Sequence, residues 1–453
     1  MRVHFIAIGG SAMHSLALAL LKKGYKISGS DDEIVEPSKS KLAEAGILPD
    51  TQGWNPDKIT TDLDAVILGM HARNDNPELQ KARDLGLKIY SYPEFLYEQT
   101  KNKTRVVIGG SHGKTTITSM VLHVLSECNI SFDYMVGAQL EGFDNNVRFL
   151  EDSKIAIFEG DEYLSSTLDP RPKFHIYKPN IALISGIAWD HINVFSTFDM
   201  YVEQFKMFID LIEPNGSLVY CADDPLVSGI ALIAKKDVHS YPYNYHPFKA
   251  DDNQVMLLDN DNEYPIRVFG KHNMQNINGA KQVCKLLGLS DEQFYKSIST
   301  FKGASKRLQL IGQNDFTNVY FDFAHSPSKL TATVRAVKEH FPKRQLIACM
   351  ELHTFSSLSE DFLKQYYGTM ERADQAFVYF NPHSFEIKQL KPLKAEAVAK
   401  AFASKHLSVF TNSEELKKEL KSISWKGKNL LLMSSGNFDG LDFKAFAKEL
   451  LDN

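Results

Sequence analysis

Residues 110–116 combine the backbone and side-chain chemistry that phosphate binding requires. The apolar run 106–108 leads through Gly109 into Gly110-Ser111-His112-Gly113-Lys114-Thr115-Thr116. Glycines let backbone N–H groups converge on phosphate oxygens, a lysine adds a positive charge, and a neighbouring hydroxyl can bind Mg²⁺. We therefore predict a phosphate-binding loop with a helix that begins at Thr116. Ile108 stands where the strict G-x-x-x-x-G-K-[ST] pattern has its first glycine, so a chance glycine-rich turn stays the alternative.

A carboxylate that could complete a magnesium site follows a later apolar run. Glu159 comes after residues 155–158, at the carboxyl end of a predicted strand, where open α/β sheets bind ligands. Mg²⁺ prefers one or two carboxylates together with phosphate oxygens and water, so we predict Glu159 as a ligand. A solvated acidic strand end is the alternative. Asp190-His191 follows the run 181–184 in the same way, although a lone Asp-His pair is weak by itself.

The N-terminal residues are typical of a nucleotide-binding βαβ unit. Gly9 and Gly10 follow an apolar run, and Asp31 comes about twenty residues later, where such units place an acidic ribose partner. Met13 occupies the place of the third glycine, so a dinucleotide cofactor is poorly supported. A βαβ turn without a ligand stays the alternative.

Two further groups of residues could contact a nucleotide. Asn273 and Asn276 lie three residues apart, hence on one helical face, and two amides so placed can bind the polar edge of adenine. An asparagine helix cap followed by an exposed turn is the alternative. Arg307, Asp322 and His325 supply a guanidinium, a carboxylate and an imidazole farther along the chain, although each alone could be ordinary surface chemistry.

The elements that position these residues alternate along the chain. Apolar runs separate segments of helical periodicity, which is typical of parallel sheets with crossover helices. We predict strands at 3–8, 65–68, 106–108, 155–158, 181–184, 346–350, 376–380 and 430–433, and helices that include 12–21, 116–125 and 327–340. The polar segment 98–104 is predicted to be a linker and 302–305 a second junction. Three α/β units follow from these junctions.

The composition of the chain argues against several classes of protein. The net charge of -5 disfavours a general nucleic-acid or anionic-membrane surface. The N-terminus lacks the pattern of a signal peptide, and no apolar run is long enough to span a bilayer. The cysteines lie far apart without a C-x-x-C pair, which is typical of reduced thiols. We expect a cytoplasmic protein without a nucleic-acid partner or a membrane span.

Taken together and in this order, the segments resemble the Mur ligase family of ATP-dependent, amide-forming enzymes of peptidoglycan synthesis, over essentially the whole chain. Beyond the phosphate loop, the matching residues are Ile8-Gly9-Gly10, Gly29-Ser30-Asp31, Asp75-Asn76-Pro77-Glu78, Glu159-Gly160-Asp161-Glu162, Asp190-His191, His272-Asn273-Met274-Gln275-Asn276, Lys306-Arg307-Leu308 and Asp322-Phe323-Ala324-His325. The resemblance implies an α/β fold of three domains. They are a Rossmann-like UDP-sugar-binding domain at 1–101, a central P-loop ATPase-like ATP-binding domain at 102–302 and a C-terminal Rossmann-like domain at 303–453 that binds the amine substrate.

The resemblance also implies residue roles, with ATP as co-substrate. Catalysis would depend on Lys114, Glu159, His191, Asp322 and His325. Two Mg²⁺ ions are implied, one bound by Thr115 and Glu159 and the other by His191. ATP would contact Gly110, Ser111, His112, Gly113, Lys114, Thr115, Thr116, Asn273, Asn276, Arg307 and Asp322. The UDP-sugar would contact Gly9, Gly10, Ser11, Ser30, Asp31 and Asn76.

Within the family, the N-terminal segments are similar to the branch that accepts UDP-N-acetylmuramate, with a peptide or an amino acid as the amine substrate. Residues 161–177 and 433–438 are similar to members that use L-alanyl-γ-D-glutamyl-meso-diaminopimelate in peptidoglycan recycling. Residues 351–356 lack the His-Arg-Tyr-Thr-Arg sequence typical of members that use L-alanine. The tripeptide is therefore favoured, and L-alanine is the alternative.

Some positions depart from the family pattern and keep other functions open. Gly186 and Ala188 stand where the family usually has Asn and Glu, and Phe321 and Ser326 replace an Asp and a His. These departures affect contacts that support the metal and the substrate. A switch that binds nucleotide and UDP-sugar is the non-enzyme alternative, and an NAD-dependent oxidoreductase is weaker still. Both a monomer and a homodimer are compatible with the sequence.

Overall fold

The computed structural model describes residues 1–140, 142–251 and 254–452. The chain divides into two compact units. Unit 1 comprises Met1–Ile187, Phe198–Asn244 and Gly279–Phe294, and unit 2 comprises Ala188–Thr197, Tyr245–Asn278 and Tyr295–Asn453.

A parallel sheet forms the N-terminal part of unit 1. Its strands and helices are β1 (Arg2–Ile6), α1 (Ser11–Lys22), β2 (Lys26–Ser30), α2 (Ser38–Glu44), β3 (Ala65–Leu68), α3 (Pro77–Asp84), β4 (Ile89–Ser91) and α4 (Tyr92–Thr100). The strand order is β2-β1-β3-β4. Val3, Phe5 and Ile67 are fully buried, because helices cover the faces of a parallel sheet. The glycine turn 9–10 thus lies where β1 ends and α1 begins.

A larger sheet forms the rest of unit 1. Its elements are β5 (Thr104–Gly109), α5 (Lys114–Glu127), β6 (Asp133–Met135), β7 (Val147–Arg148), β8 (Ile155–Glu159), α6 (Lys173–Ile176), β9 (Ile181–Ile184), α7 (Phe198–Asp210), β10 (Ser217–Cys221), α8 (Pro225–Ala231) and β11 (His239–Tyr243). The order is β11-β10-β9-β5-β8-β6-β7, with only β7 antiparallel to its neighbour. Ile108 of β5 pairs with Glu159 of β8. This register places the end of β8 beside the predicted phosphate loop.

Unit 2 contains a short antiparallel sheet and a larger, mostly parallel one. The strands of the antiparallel sheet are β12 (Phe248–Ala250), β13 (Val255–Asp259) and β14 (Asn262–Ile266). The larger sheet contains β15 (Gln309–Gln313), β16 (Asn318–Asp322), β17 (Gln345–Glu351), β18 (Gln375–Tyr379), β19 (Leu407–Phe410) and β20 (Lys428–Met433). Its order is β15-β16-β20-β17-β18-β19, with β15 antiparallel at one edge. Phe321, Cys349 and Leu432 belong to its buried core.

The other helices follow in chain order. They are α9 (Lys271–Leu286), α10 (Asp291–Ile298), α11 (Pro327–His340), α12 (Glu360–Leu363), α13 (His383–Lys388), α14 (Ala395–Phe402), α15 (Ser413–Ser422) and α16 (Phe443–Asp452). The chain passes from one unit to the other within each of the first two. Short 3₁₀ helices lie at Pro56–Lys58, Ser356–Leu358 and Lys364–Tyr366. Within the described ranges, no helix has the length and apolarity needed to cross a membrane.

The alternation of strands and helices is confirmed, and three predicted elements have the predicted ends: Ala65–Leu68, Ile181–Ile184 and Pro327–His340. The helix predicted from Thr116 instead begins at Lys114, because Gly113 adopts a left-handed conformation and caps it. The predicted linker 98–104 is wrong for most of its length, since α4 continues to Thr100 and β5 begins at Thr104. The short antiparallel strands of unit 2 were not predicted, although the apolar run 255–258 is as long as the predicted strand at 65–68.

Candidate functional site

The loop between β5 and α5 has the backbone geometry of an anion-binding turn. Gly110 and Gly113 have φ angles of +127° and +79°, which side chains other than hydrogen disfavour. A Cβ atom at Gly110 would lie 3.0 Å from the backbone nitrogen of Ser185, so a larger residue would displace the loop from the end of β9. The first N–H groups of α5 lack partners within their own helix and can therefore bind an anion.

Lys114 is held at the start of α5 by two oxygen acceptors. Its Nζ donates to the carbonyl of Gly110 at 2.6 Å and lies 2.5 Å from Oε2 of Glu162. Burial alone would lower the pKa of Lys114, but the carboxylates of Glu162 and Asp161 outweigh burial and raise it. The lysine therefore carries its charge at neutral pH, as phosphate binding requires.

Glu162 connects Lys114 to two hydroxyl groups. The hydroxyl of Tyr201 donates to Oε1 of Glu162 at 2.9 Å and lies 2.8 Å from Oγ of Ser111. Glu162 is almost completely buried. The family motif includes Glu162, but no sequence signal marks Tyr201, which has the spacing of an ordinary core residue in the amphipathic helix α7. The network fixes both ends of the phosphate loop against the neighbouring elements.

The two predicted ligands of one magnesium ion lie side by side. Oγ1 of Thr115 donates to Oε1 of Glu159 at 2.7 Å, and the backbone N–H of Gly137 donates to Oε2 at 2.8 Å. A hydroxyl and a carboxylate are the hard oxygen donors that Mg²⁺ prefers. No cluster of three or more His, Cys, Asp or Glu residues suited to a metal occurs in the part of the chain that the structure describes. The residues present therefore fit an ion whose remaining ligands are phosphate oxygens and water.

A cavity of about 350 Å³ opens beside these residues within unit 1. Lys114 and Glu159 line it on one side. Ser11 and Met13 at the start of α1 and Tyr92 of α4 also line it. The structure thus brings one predicted UDP-sugar contact, Ser11, to the same cavity as the predicted phosphate and metal residues.

Asp31 supports the glycine turn of the first sheet. Its Oδ2 accepts a hydrogen bond of 2.6 Å from the backbone N–H of Gly9. Burial and the neighbouring Asp32 raise the pKa of Asp31 to about 6. The residue therefore shapes the turn directly, and its predicted contact with the UDP-sugar stays a prediction.

Ser30 and Asn76, also predicted to contact the UDP-sugar, are buried in unit 1. Nζ of Lys58 donates to Oγ of Ser30 at 3.4 Å. Oδ1 of Asn76 accepts from the backbone N–H groups of Glu78 and Leu79 at 3.0 and 3.1 Å. Asn76 is thus the N-cap of α3, and capping explains the hydrogen bonds of its side-chain oxygen without a ligand.

Asn273 and Asn276 share a buried face of α9 in unit 2, as their spacing predicts. Nδ2 of Asn276 lies 3.3 Å from Oδ1 of Asn273, and Nδ2 of Asn273 donates to the carbonyl of Phe269 at 2.9 Å. The structure brings the two amides together. Their contact with adenine stays a prediction.

Asp322 and Arg307 also belong to unit 2, and each contacts a neighbouring group. Oδ2 of Asp322 accepts a hydrogen bond of 2.6 Å from Oγ1 of Thr333. Nη1 of Arg307 donates to the carbonyl of Phe323 at 3.4 Å, and the guanidinium lies 5.0 Å from the centre of that ring. The aspartate is therefore held firmly at the end of β16, while the arginine packs on an aromatic face.

Asp190 and His325 form a charged cluster in unit 2. Oδ2 of Asp190 lies 3.7 Å from Nζ of Lys329 and 4.0 Å from Nε2 of His325. Burial and Lys329 lower the pKa of His325 to about 3, so its imidazole is neutral at pH 7. His191 has a positive φ of 55°, and its backbone N–H donates to Oδ1 of Asp190 at 2.8 Å.

The ends of β17 and β20 bring together two of the passages from which the tripeptide is predicted as substrate. Met350 pairs with Met433, so Glu351 and Ser434 follow on adjacent strands. Oγ of Ser434 and the backbone N–H of Phe438 donate to Oε2 of Glu351. Oε1 of Glu351 lies 3.9 Å from Nδ1 of the half-exposed His353. The sequence alone did not link these passages.

Comparison with protein families gives three matches in chain order. The match to the Mur ligase family catalytic domain covers residues 2–104. The Mur ligase middle domain matches residues 108–284, and the Mur ligase glutamate ligase domain matches residues 306–436.

Individual proteins that are similar to this chain are named as ligases. The UDP-N-acetylmuramate–L-alanine ligase of Clostridium botulinum is 33% identical over 382 residues, which cover 80% of each chain. A murein peptide ligase from Psychrobacter arcticus has a similar fold, with a TM-score of 0.66, 23% identity, and coverage of 100% of this chain and 98% of that one. The UDP-N-acetylmuramate–alanine ligase MurC from Thermotoga maritima has a TM-score of 0.70 at 20% identity and the same coverage. The structural likeness concerns the fold.

Proposed function

We propose, from the premise that this chain belongs to the Mur ligase family of ATP-dependent amide-bond ligases, that it joins L-alanyl-γ-D-glutamyl-meso-diaminopimelate to the carboxylate of UDP-N-acetylmuramate. One observation carries the proposal. The start of α1 and the phosphate loop line a single cavity in unit 1. An acid bound against α1 would therefore have its carboxylate within reach of a phosphate held by Lys114.

The reaction needs an activated carboxylate, because resonance and negative charge make a free carboxylate a poor electrophile. In the proposed first step, a carboxylate oxygen attacks the γ-phosphorus of ATP, and the bond to the bridging oxygen of ADP breaks. The free amine then attacks the carbonyl carbon of the acyl phosphate, the bond from that carbon to the phosphate oxygen breaks, and the nitrogen loses a proton as the amide forms and inorganic phosphate leaves. Lys114 and the N-terminus of α5 hold the phosphates and neutralise their charge.

Thr115 and Glu159 would bind the magnesium ion, which when present neutralises phosphate charge and orients the transferred group. Their contact at 2.7 Å, with Gly137 fixing the second carboxylate oxygen, supports this assignment. The adenine contacts of Asn273 and Asn276, and a second metal at His191, are further parts of the proposal.

The remaining assignments are also proposed. Arg307 is assigned to the phosphates and Asp322 to the ribose, with His325 in the catalytic set. The domain division at 1–101, 102–302 and 303–453 and the UDP-sugar contacts of the first sheet belong to the same proposal. A variant of Asp322 with unchanged ATP affinity would remove its assignment.

The preference for the tripeptide rests on sequence passages, two of which meet at one edge of the large sheet in unit 2. Residues 433–438, like residues 161–177, are similar to tripeptide-using members, and residues 351–356 lack the sequence typical of alanine-using members. Glu351 accepts a hydrogen bond from Ser434 across this edge. The carboxylate of Glu351 suits an ammonium group, which the tripeptide and L-alanine share.

L-Alanine is the second candidate, because the Clostridium botulinum relative is named as an L-alanine ligase. A panel of amines decides between them. The tripeptide or L-alanine is supplied with UDP-N-acetylmuramate and Mg·ATP, and ADP release is measured. We expect a kcat/KM for the tripeptide at least about a hundredfold higher, a difference of roughly 3 kcal/mol in transition-state stabilisation. The reverse preference would assign the alanine reaction, and ligand binding without ADP release from any amine would favour the nucleotide-dependent switch.

A further inference from the structure

Tyr201 lies in the first turn of α7 and connects two parts of the phosphate site through one hydroxyl group. That hydroxyl donates to Oε1 of Glu162 at 2.9 Å and lies 2.8 Å from Oγ of Ser111. A phenol has a single donor hydrogen, so the bond with Ser111 has the serine as donor and the phenolic oxygen as acceptor. A chain of directed hydrogen bonds therefore runs from the phosphate loop through α7 to Glu162.

Aromatic packing fixes the ring that carries this hydroxyl. Tyr201 is fully buried, and its ring meets that of Phe205 edge to face at 5.3 Å between centroids. Phe205 packs on Phe174 at 5.5 Å, and Phe174 stacks on Phe208 at 4.4 Å. A Cβ atom at Gly109 would lie 3.3 Å from the ring of Phe174. The hydroxyl is thus held by side chains that pack against the end of β5, the strand that leads into the phosphate loop.

Both oxygens of the Glu162 carboxylate take part in this network. Oε2 lies 2.5 Å from Nζ of Lys114, while Oε1 accepts from Tyr201. A contact to one oxygen fixes a distance, whereas contacts to both oxygens also fix the plane of the carboxylate. The direction in which Glu162 holds Lys114 therefore depends on the hydroxyl of Tyr201.

We infer that Tyr201 is a positioning residue for phosphoryl transfer, which acts through Glu162 to hold the ammonium group of Lys114 at the phosphate loop. Its role is indirect, since Tyr201 is not among the residues that line the cavity beside the loop. A group that contacts reacting atoms needs such support, because its own rotamer must be locked for the reacting geometry to recur. This inference rests on the proposed function, because that function supplies the phosphoryl transfer.

The test is Tyr201→Phe in the full chain, which removes the hydroxyl and keeps the ring. We expect kcat/KM for ATP to fall about tenfold, because a displacement of about 1 Å can cost about a hundredfold in rate and the loss of one hydrogen bond permits a smaller shift. The KM values for UDP-N-acetylmuramate and for the amine should stay within about twofold. ADP release, measured well below the Tm of the variant, gives these constants.

A second experiment separates positioning from a general loss of structure by repeating the substitution without the lysine. In the Lys114→Ala background, adding Tyr201→Phe should lower the residual kcat/KM for ATP by less than about twofold, because residues that act as a unit are strongly non-additive. A matched control is Tyr25→Phe, since the hydroxyl of Tyr25 donates to Oε1 of Gln99 at 3.2 Å and Tyr25 does not line the cavity. This control should keep wild-type constants.

Three results would overturn the inference. They are an unchanged kcat/KM for ATP in Tyr201→Phe, an equal loss in Tyr25→Phe, and a further loss of about tenfold when Tyr201→Phe is added to Lys114→Ala.

The proposed function and this inference fail in different ways. If the wild-type protein releases no ADP with UDP-N-acetylmuramate and any amine, the proposed function is wrong. Equilibrium binding of Mg·ATP to the same variants then still tests whether Tyr201 holds Lys114 for the phosphates. A dissociation constant that rises at least about threefold in Tyr201→Phe, and not in Tyr25→Phe, would support this role, and a smaller rise would reject it.

Discussion

The carboxyl edges of the two large sheets hold buried carboxylates in different ways. In unit 1, Glu162 lies 2.5 Å from the charged Nζ of Lys114. In unit 2, Glu351 instead accepts from the hydroxyl of Ser434 and from the backbone N–H of Phe438. The first edge fixes a cation suited to phosphates, while the second presents a carboxylate suited to an amine. Two sheets of similar architecture thus differ in chemistry because of the residues at their strand ends.

Removing the cation of the first edge should have the largest effect. Lys114→Ala should lower kcat by at least about a hundredfold, since one preorganised electrostatic contact to a reacting group is commonly worth about 3 kcal/mol. ADP release under saturating substrates measures this loss. The far-UV circular dichroism of the variant should match that of the wild type.

The exposed Lys236 provides the matched control for this prediction. Lys236→Ala removes a lysine of the same unit outside the cavity and should retain wild-type turnover. Turnover in Lys114→Ala equal to that of this control would remove Lys114 from the mechanism.

The next prediction compares how much stability a substitution costs at each of the two edges. Glu162→Gln removes the nearest counter-charge of a buried lysine and should lower the free energy of unfolding by about 3 kcal/mol. Ser434→Ala leaves Glu351 with its backbone donor and should cost only about 1 kcal/mol. Urea unfolding at pH 7 measures both. Similar losses at the two edges would contradict the contrast drawn between an ion pair and a hydroxyl contact.

The pH dependence sharpens the same prediction. The pKa of Lys114 is raised above its ordinary 10.5 in the folded state. Its contribution to stability is therefore complete below pH 10.5 and is lost as the pH rises through the raised folded-state value. The stability difference between wild type and Glu162→Gln should shrink across that range.

The smallest expected effect concerns the amine. Glu351→Gln should raise the KM for the amine substrate about tenfold, equivalent to about 1.4 kcal/mol, through the loss of a charge-assisted contact. The KM for ATP should not change. Steady-state ADP release with each substrate varied in turn separates the two constants. A larger change in the KM for ATP than in that for the amine would count against an amine site at this edge.

The sequence predicted much of the fold and the centre of the candidate site. The strand Ile181–Ile184 is a short apolar run with clear ends. Pro327 marks the start of the helix Pro327–His340, because proline fits the first helical turn. The contact between Thr115 and Glu159 was also foreseeable. Thr115 lies shortly after β5 and Glu159 ends β8, and neighbouring parallel strands present their carboxyl ends at one edge of a sheet.

Other features depended on packing between distant parts of the chain. Tyr201 reaches Glu162 across 39 residues and Ser111 across 90, and no local pattern distinguishes it from a core tyrosine. Among the described residues, buried side-chain oxygens of Asn146, Ser165 and Tyr177 have no hydrogen-bond partner. No sequence pattern indicates this, because whether a polar atom finds a partner depends on what lies around it.

Periodicity, turn glycines and strand ends thus determined the α/β architecture and the phosphate loop, because these signals act over a few residues. The tertiary structure alone decided which carboxylates meet cations and which meet hydroxyls. It also decided which buried polar atoms have no protein partner among the described residues. Hydrogen bonds and ion pairs require distances of a few ångströms, and only the folded chain sets such distances between residues far apart in sequence.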